Sequence, residues 1–121
     1  MATTRIIFER GDHKRIAHIT GTWTGNSSET FTPTGNFQLL NITINYDASI
    51  TNDATVTLDN QTGVNYDTLL KTIEQASGVT DIWEIFDKET IFASGNSVVI
   101  ACDVGANNAF VTLTVMEHTV S

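Results

Sequence analysis

The sequence predicts an all-β protein, an antiparallel β-sandwich of jelly-roll type with seven to nine strands and a short N-terminal arm. Three observations predict it. Apolar and polar residues alternate with a period of two in several segments, the mark of a strand with one dry face and one wet face. Clusters of Gly, Asn, Asp and Ser punctuate the chain about every 8–12 residues, the spacing of short strands joined by turns. The chain holds 20 Thr and 10 Asn but a single proline, Pro33. Thr suits the wet face of a strand, Asn suits turns, and the scarcity of proline leaves nearly every backbone N–H free to join a ladder.

Residues 1–14 are expected to form an arm or an edge strand, with Ile6, Ile7 and Phe8 as an apolar clump and Arg10-Gly11-Asp12-His13 as a turn. The triplet Arg10-Gly11-Asp12 is spelled like an integrin-binding motif, but three common turn residues recur by chance. Residues 15–121 are expected to form one sandwich domain. In Arg15–Thr24, Ala17, Ile19, Gly21 and Trp23 share the core parity, and Gly25-Asn26-Ser27-Ser28 reads as a turn. Glu29–Pro33 is a brief extended piece around Phe31. Phe37–Asp47 reads as the central strand, with Leu40, Ile42, Ile44 and Tyr46 on the dry face and Asn41, Thr43 and Asn45 on the wet one. Ala54, Val56 and Leu58 mark the next strand.

Tyr66–Gln75 is ambiguous by period, since Leu69, Leu70 and Ile73 fit helical spacing; its place between strands joined by short turns favours a strand. Thr80–Phe86 is expected to put Ile82, Glu84 and Phe86 on one face and Trp83 and Ile85 on the other. Asp87–Asn96 reads as a polar loop holding Ile91 and Phe92. Ser97–Asp103 reads as a buried strand, Gly105-Ala106-Asn107-Asn108 as a hairpin turn, and Phe110–Glu117 as a last strand facing inward through Val111, Leu113 and Val115.

The net charge of −8 is uneven. Arg5, Arg10, Lys14 and Arg15 outnumber the acids of residues 1–15, whereas the remainder carries only Lys71 and Lys88 against twelve acids. An acidic body argues against nucleic acid or an anionic membrane as partner, because both need a basic footprint. The longest strongly apolar run, Val98–Cys102, is far too short to span a bilayer as a helix. The N-terminus lacks the apolar stretch of a signal peptide, so synthesis without export is expected. Sequons at Asn26, Asn41 and Asn60 are what a Thr- and Asn-rich chain produces by chance.

Candidate chemistry is thin. Cys102 with His13, His18 or His118 is the raw material of a thiol nucleophile, but a cysteine in an apolar strand of an acidic protein has its thiolate disfavoured and reads as core. Asp47, Asp53, Asp59, Asp67 and Asp103 lie near loops, yet no calcium-loop spacing joins them, and the same acids as a glycosidase pair rest on no spacing at all. Trp23, Trp83, Tyr46 and Tyr66 are the aromatics of a sugar-stacking platform if exposed; at alternating positions they read first as core. No catalytic residue, metal site or cofactor is expected, and the chain is not expected to be an enzyme.

Phe37-Gln38-Leu39-Leu40-Asn41-Ile42-Thr43-Ile44, Ala54–Asp59, Ser94-Gly95-Asn96-Ser97-Val98-Val99-Ile100 and Ala109–Val115 follow one another in an order that resembles the small β-sandwich decoration (cement) and minor structural proteins of tailed-bacteriophage virions. The resemblance spans about residues 15–120 and departs in having Gly95-Asn96 where an acidic turn would stand. It implies a non-enzymatic virion protein, made in the host cytoplasm, that binds the major capsid protein or another virion protein and braces the shell, as a homo-oligomer with a trimer favoured. Capsid or subunit contact is then expected from the first segment, with Ile6, Ile7 and Phe8 as anchors and Arg5, Arg10 and Arg15 as charge partners. The alternative function is a carbohydrate- or receptor-binding β-sandwich module.

Overall fold

The computed structural model describes residues 3–9, 14–48, 52–63, 67–74, 80–87 and 89–118. Among the described residues seven strands form in chain order: β1 (Thr3–Glu9), β2 (Lys14–Phe31), β3 (Phe37–Tyr46), β4 (Ala54–Asp59), β5 (Thr68–Ile73), β6 (Asp81–Ile85) and β7 (Ser97–His118). All pairings are antiparallel, and no helix occurs among the described residues. The turn expected at Arg10–His13 and the residues Tyr66 and Gln75 lie outside them.

Two strands belong to both layers of the sandwich. The first half of β2 pairs with the second half of β7, from Lys14↔His118 to Thr24↔Asn108, and completes a sheet in the order β1-β2-β7-β3-β6. The second half of β2 pairs with the first half of β7, from Asn26↔Asp103 to Phe31↔Val98, and there β7 passes hydrogen bonds on to β4 and β4 to β5. Counted by layer, the seven strands make nine segments in two antiparallel sheets. The stretches Gly25–Ser28 and Gly105–Asn108, expected as turns, are therefore bends inside continuous strands. At the crossing Gly25 alone stands opposite residues 104–107, and Gly25 (φ 64°) and Gly105 (φ 62°) both take the left-handed conformation that glycine adopts without a Cβ penalty. The Asp103 carboxylate accepts the Gly105 N–H at 2.9 Å and fixes the bend.

The core lies between the layers. Ala17, Ile19 and Trp23 of β2, Ile42, Ile44 and Tyr46 of β3, and Val111, Leu113 and Val115 of β7 are buried from one sheet, as their parity predicts. Ala54 and Val56 of β4 with Val98, Ile100 and Cys102 of β7 are buried from the other. The dry face of β3 departs from expectation at its start. A register shift between Leu39 and Asn41 makes Leu40 the extra residue of a bulge, so Phe37 and Leu39 are the buried pair there and Leu40 is only partly covered. The strands common to both sheets are β2 and β7; β3, expected as the centre, lies between β7 and β6.

A bulge also resolves the ambiguity of the fifth strand. Val56 pairs with Lys71 and Thr57 with Leu69, which leaves Leu70 extra. Two core-directed residues, Leu70 and Ile73, then fall three apart, and this is what imitates helical spacing. Lys71 reaches from β5 to β6, where its Nζ lies 3.5 Å from both the Glu84 carboxylate and the Ile85 carbonyl.

Candidate functional site

Of the residues expected to make contacts, the structure gathers Arg5, Ile6, Ile7 and Phe8 on β1, at the outer edge of the first sheet. Arg15 sits beside them on β2, opposite Glu9, and Arg10 lies outside the described residues. β1 pairs with β2 along its whole length, and its far side has no strand partner among the described residues. Ile6 and Ile7 are 46% and 40% exposed. Neighbouring residues of a strand point to opposite faces, so this edge is apolar on both.

The two arginines have internal partners. Glu117, on the same parity as Val111, Leu113 and Val115, is fully buried at the end of β7. Its carboxylate accepts hydrogen bonds from the Arg5 guanidinium, the Thr34 backbone N–H and the Thr34 hydroxyl, the last at 2.9 Å, while Arg15 Nε lies 3.8 Å away. Thr34 Oγ1 also accepts from Arg5 and Arg15 at 3.0 and 3.1 Å. Arg5 further lies 5.0 Å above the Phe31 ring. One carboxylate thus ties β1, β2, β7 and the loop before β3 together. Gly35 (φ 78°) lets that loop pass so close to β7 that a Cβ would stand 2.5 Å from the His118 carbonyl oxygen. The shared parity of Glu117 was the only sign of this arrangement in the sequence.

The side of the first sheet away from the core faces solvent. Across β2, β7, β3 and β6 the registers align Thr22, Phe110, Asn45 and Asp81 in one row and Thr20, Thr112, Thr43 and Trp83 in the next. Trp83 is 67% exposed and Phe110 47% exposed, with Ile85 beyond them also open to solvent. Asn45 Nδ2 donates to Asp81 Oδ1 at 2.9 Å. A shallow depression of about 330 Å³ adjoins Phe110, lined by Thr22, Asn45, Asp47 and Asn108 among others. Asp47 and Asn108 clasp each other there, the carboxylate accepting both the backbone and the side-chain N–H of Asn108 at 2.9 and 3.1 Å. Trp23 and Tyr46 are core, as expected of alternating aromatics, but Trp83 is not.

The remaining chemistry is structural. Cys102 is buried with its Sγ 3.8 Å from both the Tyr46 hydroxyl and the Asn52 carbonyl, and burial pushes the thiol up from its ordinary value. Burial raises the Tyr46 phenol as well. His18 bonds to Thr114 and His118 to Gln38, whereas the partners of Cys102 are Tyr46 and Asn52. A second cavity, of about 180 Å³, lies between Leu39, Leu70, Phe86 and Phe92, with Asp87 and Thr90 at its lining. No group of three or more His, Cys, Asp or Glu close enough to hold a metal occurs among the described residues.

No protein-family model and no curated protein matches the chain. Among solved structures it is similar to a chain of infectious bursal disease virus strain Gx, with 12% identity and a TM-score of 0.47 over 91% of this chain and 33% of that one. It is also similar to a family 29 carbohydrate binding module (10% identity, TM-score 0.41, covering 92% and 71%). A third likeness is to the CBM22-1–GH10 modules of Clostridium thermocellum xylanase 10B, complexed with xylohexaose (13%, 0.43, 98% and 25%). The chain thus spans about a third of the viral chain and a quarter of the xylanase chain. Nothing about ligand or partner follows from likenesses of this size.

Proposed function

We propose that the chain is a non-enzymatic structural protein of a virion, a capsid decoration protein that docks on the shell through β1. The observation that carries this reading is the edge itself: a strand whose far side has no strand partner among the described residues, apolar on both faces and held in place by the Arg5–Glu117 ion pair. Exposed edges are templates for strand addition, and soluble proteins usually blunt them with charge or proline. Here Ile6 and Ile7 stand where a blunting charge would be expected.

An edge already ordered by Glu117 loses little entropy on docking, so backbone hydrogen bonds and two half-exposed isoleucines convert into affinity efficiently. Completing the burial of each isoleucine contributes about 1 kcal/mol. That is small for one copy and large when repeated over a shell. A homotrimer over a local threefold would set three such edges across the seams between capsid subunits.

The test is co-sedimentation of the protein with capsids lacking it, alongside light scattering for oligomeric mass. Ile6→Lys/Ile7→Lys is expected to abolish co-sedimentation while leaving the melting temperature within about 3 °C of the parent, because both side chains are exposed. Undiminished binding by that variant would sink the proposal.

A further inference from the structure

The outward face of the first sheet, at the edge away from β1, has the composition of a different kind of site. Phe110 on β7 and Trp83 on β6 occupy diagonal corners of a patch three strands wide and two rows deep. Strand spacing near 4.8 Å and a rise of about 3.4 Å per residue separate their Cα atoms by about 12 Å, a span of two to three sugar rings. Between them lie only hydrogen-bonding side chains: Asn45, Asp81, Thr43 and Thr112. Next to Phe110, along β7 and β3, the depression lined by Asp47 and Asn108 adjoins the patch.

We propose that this face binds a neutral, extended polysaccharide, with pyranose rings stacked on Phe110 and Trp83 and their hydroxyls met by Asn45, Asp81 and the Asp47–Asn108 pair. The apolar side of a pyranose ring matches an exposed aromatic face, and its equatorial hydroxyls match paired amide and carboxylate groups. The Asn45–Asp81 hydrogen bond holds both side chains in place before a ligand arrives, so little is lost in ordering them. Among the described residues the charged groups of the patch are Asp47 and Asp81, both acidic, and they disfavour uronic acids, sulfated chains and nucleic acid. The core of a protein interface is apolar and depleted of charge; here two aromatic rings stand apart with polar groups between them, the pattern of a repeating hydroxylated chain.

The proposal does not rest on docking through β1, which lies four strands away from β6 in the same sheet. The experiment is calorimetric titration of the full chain with cellohexaose, xylohexaose and mannohexaose, and with hexagalacturonate as the anionic counterpart. A parallel acrylamide-quenching series reads the exposed Trp83 against the buried Trp23. At least one neutral hexasaccharide is expected to bind with a dissociation constant below about 1 mM and to shield Trp83 from quencher. Trp83→Ala and Phe110→Ala are each expected to weaken that binding about tenfold with an unchanged melting temperature. Ile6→Lys/Ile7→Lys should bind sugar as the parent does. Absence of neutral-sugar binding, unchanged affinity in Trp83→Ala, or preference for the anionic chain overturns the proposal. So does a fall in oligomeric mass on replacing Trp83, which assigns the face to a second copy of the chain.

Discussion

Replacing Glu117 by alanine tests how β1 is held. The carboxylate is fully buried and receives the Arg5 guanidinium and two groups of Thr34, with Arg15 Nε at 3.8 Å. Breaking a buried pair by removing one partner costs about 3–5 kcal/mol, because the other partner is left without compensation. Two features of the site place the expected loss at the lower end. Arg5 and Arg15 keep 28% and 24% of their side-chain surface in water, so their charges are not stranded. The Thr34 hydroxyl still has guanidinium donors, whereas its backbone N–H loses its acceptor. A loss of about 3 kcal/mol follows, which for a chain of this length lowers the melting temperature by about 12 °C.

Chemical denaturation of Glu117→Ala, Arg5→Ala and the double variant closes a cycle for the pair. Arg5→Ala alone should cost about 2 kcal/mol, since Arg15 and Thr34 stay on the carboxylate, and the coupling should be about 1–2 kcal/mol. Hydrogen exchange gives the local readout: in Glu117→Ala the amides of β1 should lose protection before those of β3. A total loss under about 1 kcal/mol, or β1 amides as protected as in the parent, would refute the reasoning and leave the ladder with β2 as the sole restraint on that strand.

Two further outcomes follow from the geometry. Gly35→Ala sets a Cβ 2.5 Å from a backbone carbonyl at a positive φ and is expected to cost more than about 2 kcal/mol. Gly105→Ala, with nothing within 4 Å of its Cβ, should cost only about 1 kcal/mol for its backbone conformation; equal losses in melting experiments would remove the role given to the His118 contact. Cys102 should resist thiol reagents at pH 8 until denaturant is added. Burial raises the folded-state pKa of both Cys102 and Tyr46, so the folded chain holds these protons more tightly than the unfolded one. The corresponding stability is complete below the ordinary thiol value of 9.0 and declines as the pH rises beyond it. A denaturation midpoint that stays flat from pH 8 to 10.5 would contradict that.

The period-two pattern was enough to read the class and the core faces of β2, β4 and the end of β7, whereas the strand at Thr68–Ile73 was legible from its place between strands joined by short turns. The pattern failed wherever a strand departs from period two. At Leu40 the bulge changes which parity is buried, and Phe37 and Leu39 then sit on what had looked like the mixed face. At Gly25 and Gly105 the same glycines that end strands elsewhere bend two strands from one sheet into the other, because the two strands go on pairing with each other, in a shifted register, on the far side. A single chain read along its length holds no sign of that partner, and a bend and a turn are spelled alike.

The surfaces were harder to read than the core for a related reason. Alternation sorts residues by face, and whether a face is covered depends on strands distant in sequence. Trp83 and Trp23 both share parity with apolar neighbours, yet Trp23 points between the layers and Trp83 out of them, because β6 turns Ile82 inward beside Ile44 and so turns Trp83 outward beside Thr43. Glu117 is the converse: a charged residue on an inward parity reads as the end of a strand until Arg5, far away in sequence, supplies its counter-charge. In both cases the residue that breaks the hydrophobic pattern marks a place where distant strands meet. In Glu117 that meeting fixes the edge strand, and in Trp83 it leaves an aromatic face presented to solvent.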